Sequence, residues 1–99
     1  MFLAIIMVSD ADGNALDPFR QEGIMGGLLE LLRNNLRKGD TVTHFSPTIL
    51  ALLLPAVNYN SGNQVMERIR TLFYQKYPST DIVFNYRIRS LGDDLDVAD

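Results

Sequence analysis

Two short stretches of this chain, residues 2–8 and 49–54, are apolar at every position. Each is far shorter than the roughly 20 residues a membrane-spanning helix needs. A continuous apolar run of this length, closed by turn residues, reads as a strand buried on both faces. The first stretch runs through Ser9 into Asp10-Ala11-Asp12-Gly13-Asn14, and the second ends at Pro55. Any fold for this sequence must therefore place two strands where both of their faces are covered.

The segments between them are helical in period. Asp17 followed by Pro18 reads as an N-cap and first helical position, where the missing proline N–H costs nothing. Met25, Leu28, Leu29, Leu32 and Leu36 then recur at three- and four-residue steps, with Glu30, Arg33, Asn34 and Arg37 on the other side, until Lys38-Gly39-Asp40 ends the helix. Gly26-Gly27 inside it predicts either a close approach, a kink, or simply tolerated glycine. A second helix follows the polar loop 58–63, with Ser61 or Asn60 as the expected cap. Val65, Met66, Ile69, Leu72, Phe73 and Tyr77 form its apolar set, and Glu67, Arg68 and Arg70 face outward.

Residues 41–45 form a short β-rich segment, and Ser46-Pro47-Thr48 a turn into the second apolar run, so that the two make a hairpin. After Pro78-Ser79-Thr80, Ile82, Phe84, Tyr86 and Ile88 alternate with Val83, Asn85, Arg87 and Arg89, the pattern of a half-buried strand. The resulting order, βαββαβ, predicts an α+β, ferredoxin-like domain over residues 1–92. Its four-stranded antiparallel sheet has the first and third strands in the centre and both helices on one face.

That arrangement leaves a problem on the other face. The central strands are apolar on the side away from the helices as well, and exposed apolar surface of several hundred Å² usually marks an interface. A homodimer or an adjoining domain is expected to cover it, with Phe2, Ala4, Ile6, Leu52 and Leu54 as the contact residues. A helix belonging to a longer parent protein is the other reading.

The charge is uneven. Of twelve acids, Asp93, Asp94, Asp96 and Asp99 crowd into the tail 93–99, leaving eight against nine bases in residues 1–92. A near-neutral body lacks the basic excess that grips a nucleic-acid backbone. With no cysteine there is neither a disulfide framework nor a thiolate metal site, and residues 1–8 lack the basic flank and cleavage site of a signal peptide. The expectation is a cytoplasmic protein without membrane insertion or a resident cofactor.

Chemistry-bearing residues are sparse. His44 has no second histidine or cysteine to build a zinc site or a histidine triad. Asp10 and Asp12 could hold Mg²⁺ with substrate phosphates, though a turn rich in Asp, Gly and Asn is the commoner reading of such a pair. Arg87 and Arg89 share a strand face that could meet an acidic partner or solvent. No phosphate-binding glycine loop is present. Arg37-Lys38-Gly39-Asp40 forms an Arg-x-x-Asp step between the first helix and the next strand.

From Leu28 to Leu72 the chain resembles a GGDEF domain, the nucleotide-cyclase fold that makes cyclic di-GMP. The likeness lies in Arg37-Lys38-Gly39-Asp40, the hairpin Ser46-Pro47-Thr48-Ile49-Leu50, the apolar strand closing at Pro55, and Glu67-Arg68-Ile69-Arg70. More narrowly it is similar to the degenerate GGDEF-like segment at the C-terminus of bacterial transcriptional activator (BTAD) type regulators. The hairpin has neither the two glycines nor the two acids of the active family, so the resemblance implies a non-catalytic regulatory domain. Two-metal phosphoryl chemistry needs those anionic oxygens. It also implies a second possibility, since the family's Arg-x-x-Asp motif binds cyclic di-GMP and Arg37 and Asp40 have its spacing from the hairpin.

Overall fold

The computed structural model describes residues 1–55, 57–78 and 81–90. The tail 93–99 and most of the break after Pro78 lie outside the described residues. The elements are β1 (Phe2–Asp10), α1 (Pro18–Asn35), β2 (Thr41–Ser46), β3 (Ile49–Leu54), α2 (Tyr59–Lys76) and β4 (Ile82–Ser90). The strands form one sheet in the order β2-β3-β1-β4, with every neighbouring pair antiparallel. This is the ferredoxin-like α+β arrangement expected, with the two fully apolar strands in the centre.

Local chemistry sets the element ends. The Asp17 carboxylate accepts from the Phe19 and Arg20 amides at 3.1 and 3.2 Å, satisfying donors that the first turn of α1 leaves orphaned. The helix stops at Asn35, earlier than the Lys38-Gly39-Asp40 expected. Residues 37–40 close a turn of their own: the Asp40 carboxylate accepts from the Arg37 amide at 2.8 Å, the Asp40 amide donates to the Arg37 carbonyl at 3.0 Å, and Gly39 takes φ +101°. Helix α2 begins before either expected cap. Asn58 is its N-cap, accepting from the Ser61 amide at 2.9 Å, so that most of the polar run 58–63 is helix.

The hairpin turn contains Pro47, whose ring fixes φ near −65°, and among the described residues none other than glycine has positive φ. The primed turns that best match strand twist in two-residue hairpins are therefore closed to it. The β2–β3 register shifts between His44 and Ser46, a bulge that absorbs the mismatch.

One core lies between the sheet and the helices. Phe2, Ala4, Ile6 and Val8 of β1, Leu50, Leu52 and Leu54 of β3, and Ile82 and Phe84 of β4 are buried. They pack under Ile24, Met25, Leu28, Leu31 and Leu32 of α1 and Met66, Ile69 and Phe73 of α2. Ile24 and Leu31 replace Leu29 and Leu36, which are only partly buried, in the set expected for α1. Phe73 stacks at 5.2 Å against both Phe84 and Tyr77.

This packing corrects the expected contact residues. Phe2, Ala4, Ile6, Leu52 and Leu54 are at most 1% exposed, because they are the helix-facing parity and not the open one. The register explains why: Ala4 lies opposite Ile88, Ile6 opposite Tyr86 and Val8 opposite Phe84. The even residues of β1 thus share a face with the apolar set of β4. The open face carries Leu3, Ile5 and Met7 of β1 and Ile49, Ala51 and Leu53 of β3.

Two glycines permit close approaches. A Cβ on Gly27 would fall on the Tyr77 hydroxyl, and one on Gly62 would lie 2.5 Å from the Phe2 ring. Gly26 faces open space, so the expected close packing holds for one glycine of the pair. Helix propensity alone would make Gly62→Ala stabilising by ~1 kcal/mol. The buried Phe2 ring has nowhere to move, and overpacking costs about 1–3 kcal/mol. Gly62→Ala should therefore destabilise the fold, read as a lower urea midpoint, whereas the exposed Gly26→Ala should raise it.

Candidate functional site

The open sheet face is a surface that the fold leaves without an internal role. Its centre is the stripe Leu3, Ile5, Met7, Ile49, Ala51 and Leu53, with Met7 45% exposed and the other five half-buried. Across β1, Leu3 lies opposite Arg89, Ile5 opposite Arg87 and Met7 opposite Asn85, so β4 borders the stripe with polar and cationic side chains. Thr41 and Thr43 of β2 pair with Leu53 and Ala51 on its other side. Two shallow grooves of about 280 and 340 Å³ run along the β1–β4 seam, both touching Ile5 and Arg87.

A second feature lies where the end of α1 meets α2. A cleft of about 450 Å³ is lined by Arg37, Val57, Asn58, Ser61, Gln64, Val65 and Arg68. Arg37 reaches it from the α1–β2 turn, and Arg68 from α2, where its guanidinium also donates to the Asn35 carbonyl at 3.3 Å. Two guanidinium groups beside amide and hydroxyl side chains suit an anion. Asp40 is not in the lining, and one of its carboxylate oxygens is committed to the Arg37 amide. Arg37 and Arg68 thus line one cleft, which Asp40 does not. Sequence spacing carries no trace of that pairing, which arises from helix packing across 31 residues.

Asp10 spends its carboxylate on its own loop. Its Oδ1 accepts from the Asp12 and Asn14 amides at 2.9 and 2.8 Å, and Gly13 follows at φ +85°. This is the turn reading of the Asp10–Asp12 pair, and among the described residues no group of three or more metal-ligating side chains converges. His44 is exposed on β2 beside a groove against α1 that Met25, Gly26 and Leu29 also line. In the hairpin, the Pro47 carbonyl accepts from the Gln21 side-chain amide at 3.0 Å and the Ser46 hydroxyl accepts from the Thr48 amide at 3.3 Å. Among the described residues no helix is long and apolar enough to cross a membrane.

No protein-family model matches this chain, and no curated protein matches it in sequence. The geometry alone bears on function.

The fold clearly perturbs the titration of Tyr86. Its hydroxyl donates to the Glu67 carboxylate and sits 3.2 Å from Asn63 Oδ1, while Arg70 approaches the same carboxylate at 3.7 Å. Partial burial, then the hydrogen bond to Glu67 and its negative charge, push the phenol from 10.0 up to about 12. The folded state thus holds the proton more tightly than the unfolded chain. The stability from this group is fully present below pH 10 and is lost as pH rises from 10 toward 12. Tyr86→Phe should cost about 0.5–1.5 kcal/mol at pH 8 through the lost hydrogen bond. It should also flatten the decline between pH 10 and 12, as measured by urea unfolding at each pH.

Proposed function

We propose that this chain is a non-catalytic assembly domain that pairs with a second copy of itself through the open face of its sheet. The observation that carries the reading is the apolar stripe of Leu3, Ile5, Met7, Ile49, Ala51 and Leu53 at the centre of that face. Four strands about 4.8 Å apart and roughly 20–30 Å long outline about 400–500 Å² of flat surface. Stacking two copies would then bury on the order of 1,000 Å² or more in total, at the lower end of specific interfaces.

A second copy fits the charge pattern. A two-fold axis running along the strands exchanges the two edges of the sheet. It sets Arg87 and Arg89 over Thr41 and Thr43 of the partner subunit instead of over each other. Apolar centre meets apolar centre, and no like charges are forced together. The GGDEF-like resemblance adds the wider setting of this proposal, a domain of a bacterial transcriptional regulator in which such pairing would hold two regulators together. The hairpin Ser46-Pro47-Thr48-Ile49-Leu50 offers no carboxylate for metal-assisted phosphoryl transfer, which supports the non-catalytic part of the reading.

Sedimentation equilibrium tests it. The expected result is concentration-dependent self-association in which the face-to-face step weakens at least tenfold in Ile5→Glu and in Leu3→Glu. Each new carboxylate would lie opposite an arginine of β4, Arg87 or Arg89, and cross-strand charge pairing supports the monomer fold. A monomer at every concentration would overturn the assembly reading, and turnover of GTP with Mg²⁺ would overturn the non-catalytic one.

The cleft where the α1–β2 turn meets α2 favours a second reading, a sensor of cyclic di-GMP. Two arginines can hold its phosphates or a guanine edge, and the 450 Å³ cleft is within the range of small-molecule sites. Calorimetric titration with cyclic di-GMP should then show binding weakened at least tenfold by Arg37→Ala and by Arg68→Ala, with Arg87→Ala unaffected. Absence of heat of binding in the unsubstituted protein would exclude this reading.

A further inference from the structure

The two edges of the sheet are finished differently. At the β4 edge, the Phe84 amide donates to the Tyr74 hydroxyl of α2 at 2.8 Å, and the strand carries Arg87 and Arg89. Bonding an edge amide to a side chain and placing cations on the strand are both ways of blocking pairing with a foreign strand. The β2 edge has neither. β2 bonds only to β3, and its sequence Thr-Val-Thr-His-Phe-Ser contains no lysine, arginine, acid or proline. Thr41, Thr43, His44 and Phe45 are all exposed, Phe45 by 74%. An uncharged strand of β-branched and aromatic residues with a free row of backbone donors and acceptors is a template for another strand. Its one protection is the bulge between His44 and Ser46, which lies at the end of the strand and leaves residues 41–44 regular.

From this we infer that the β2 edge is a second self-association site, at which β2 pairs antiparallel with β2 of another copy to make a continuous eight-stranded sheet. The strand is self-complementary about Thr43. A two-fold axis there sets Thr43 beside Thr43 of the partner subunit and Val42 beside the partner's His44, within the regular part of the strand. Aromatic and β-branched side chains are favourable cross-strand neighbours. The only titratable side chain in the register faces a valine, so no like charges oppose. The same operation on β4 centred on Arg87 would bring two guanidinium groups together, which is why the second copy belongs at β2 and not at the other edge.

This inference goes beyond the face-to-face pairing and is independent of it, so the test is run in the full chain carrying Ile5→Glu, where the sheet face is blocked. Sedimentation should still show a concentration-dependent dimer. Thr43→Glu, which sets two carboxylates across the axis, should raise its dissociation constant at least tenfold, whereas the uncharged, β-branched Thr43→Val should leave it within about twofold. Hydrogen exchange supplies a readout independent of mass: amides in residues 41–45 should become protected as concentration rises, and those of β4 should not. A chain that is monomeric with the face blocked would overturn the inference. So would a dimer that tolerates Thr43→Glu and leaves the β2 amides unprotected, since that dimer would form elsewhere.

Discussion

Everything in this fold is arranged around β1. It pairs with β3 over six residues and with β4 over nine, and its even residues Phe2, Ala4, Ile6 and Val8 form the floor on which both helices rest. The seat at one end is narrow: the Phe2 ring lies against Gly62, with no room for a methyl group. A helix interior glycine costs roughly 1 kcal/mol of propensity, and here that cost is offset by letting α2 descend onto a fully buried aromatic ring. The position of α2 in turn fixes Met66, Ile69 and Phe73 over the sheet and brings Tyr74 and Tyr86 to the hydroxyl contacts that tie helix to strand.

The element order and the central placement of β1 and β3 were legible in the sequence, because a strand that is apolar at every position has few other places to go. Which of its faces met the helices was harder to read. A one-residue change of parity exchanges the two faces of a strand, and in residues 2–8 and 49–54 both parities are apolar. The one informative alternation is in β4, where Phe84 and Ile88 contrast with Asn85 and Arg87. Only the β1–β4 register, a tertiary fact, transfers that contrast to β1. The cap of α2 is ambiguous in the sequence for a related reason. Asn58, Asn60 and Ser61 are all good capping residues, and the choice among them is made by where α2 must set Gly62 against the Phe2 ring.

The Arg-x-x-Asp step shows how a short motif can serve the chain before it serves a ligand. Gly39 at positive φ and the Asp40 carboxylate on the Arg37 amide make residues 37–40 a self-contained turn between α1 and β2. The Asp40 oxygen that accepts this bond is held by the fold, while the Arg37 guanidinium is free to extend into the cleft beside Arg68. A neighbourhood of this kind brings the turn after α1 to the surface of α2, and no periodicity within either segment encodes it. The Asp10 loop follows the same logic, its carboxylate organising two backbone amides at the end of β1.

The outer face of the sheet raises a different question, since its apolar residues contribute little to the core. A two-layer domain needs one apolar face per sheet, and an antiparallel sheet commonly leaves the other to water with polar side chains. β4 follows that rule with Asn85, Arg87 and Arg89, and β2 follows it with Thr41 and Thr43. β1 and β3 break it at Leu3, Ile5, Met7, Ile49 and Leu53, the positions furthest from either edge. Folding alone would be served as well by threonines there, with less exposed apolar surface to promote aggregation. The departure is confined to the two strands that a stacked second sheet would cover most completely, whereas the residues at the rim of such an interface are the polar ones. An apolar centre inside a polar border is the composition of protein interfaces, and in this sheet the border is supplied by the edge strands themselves.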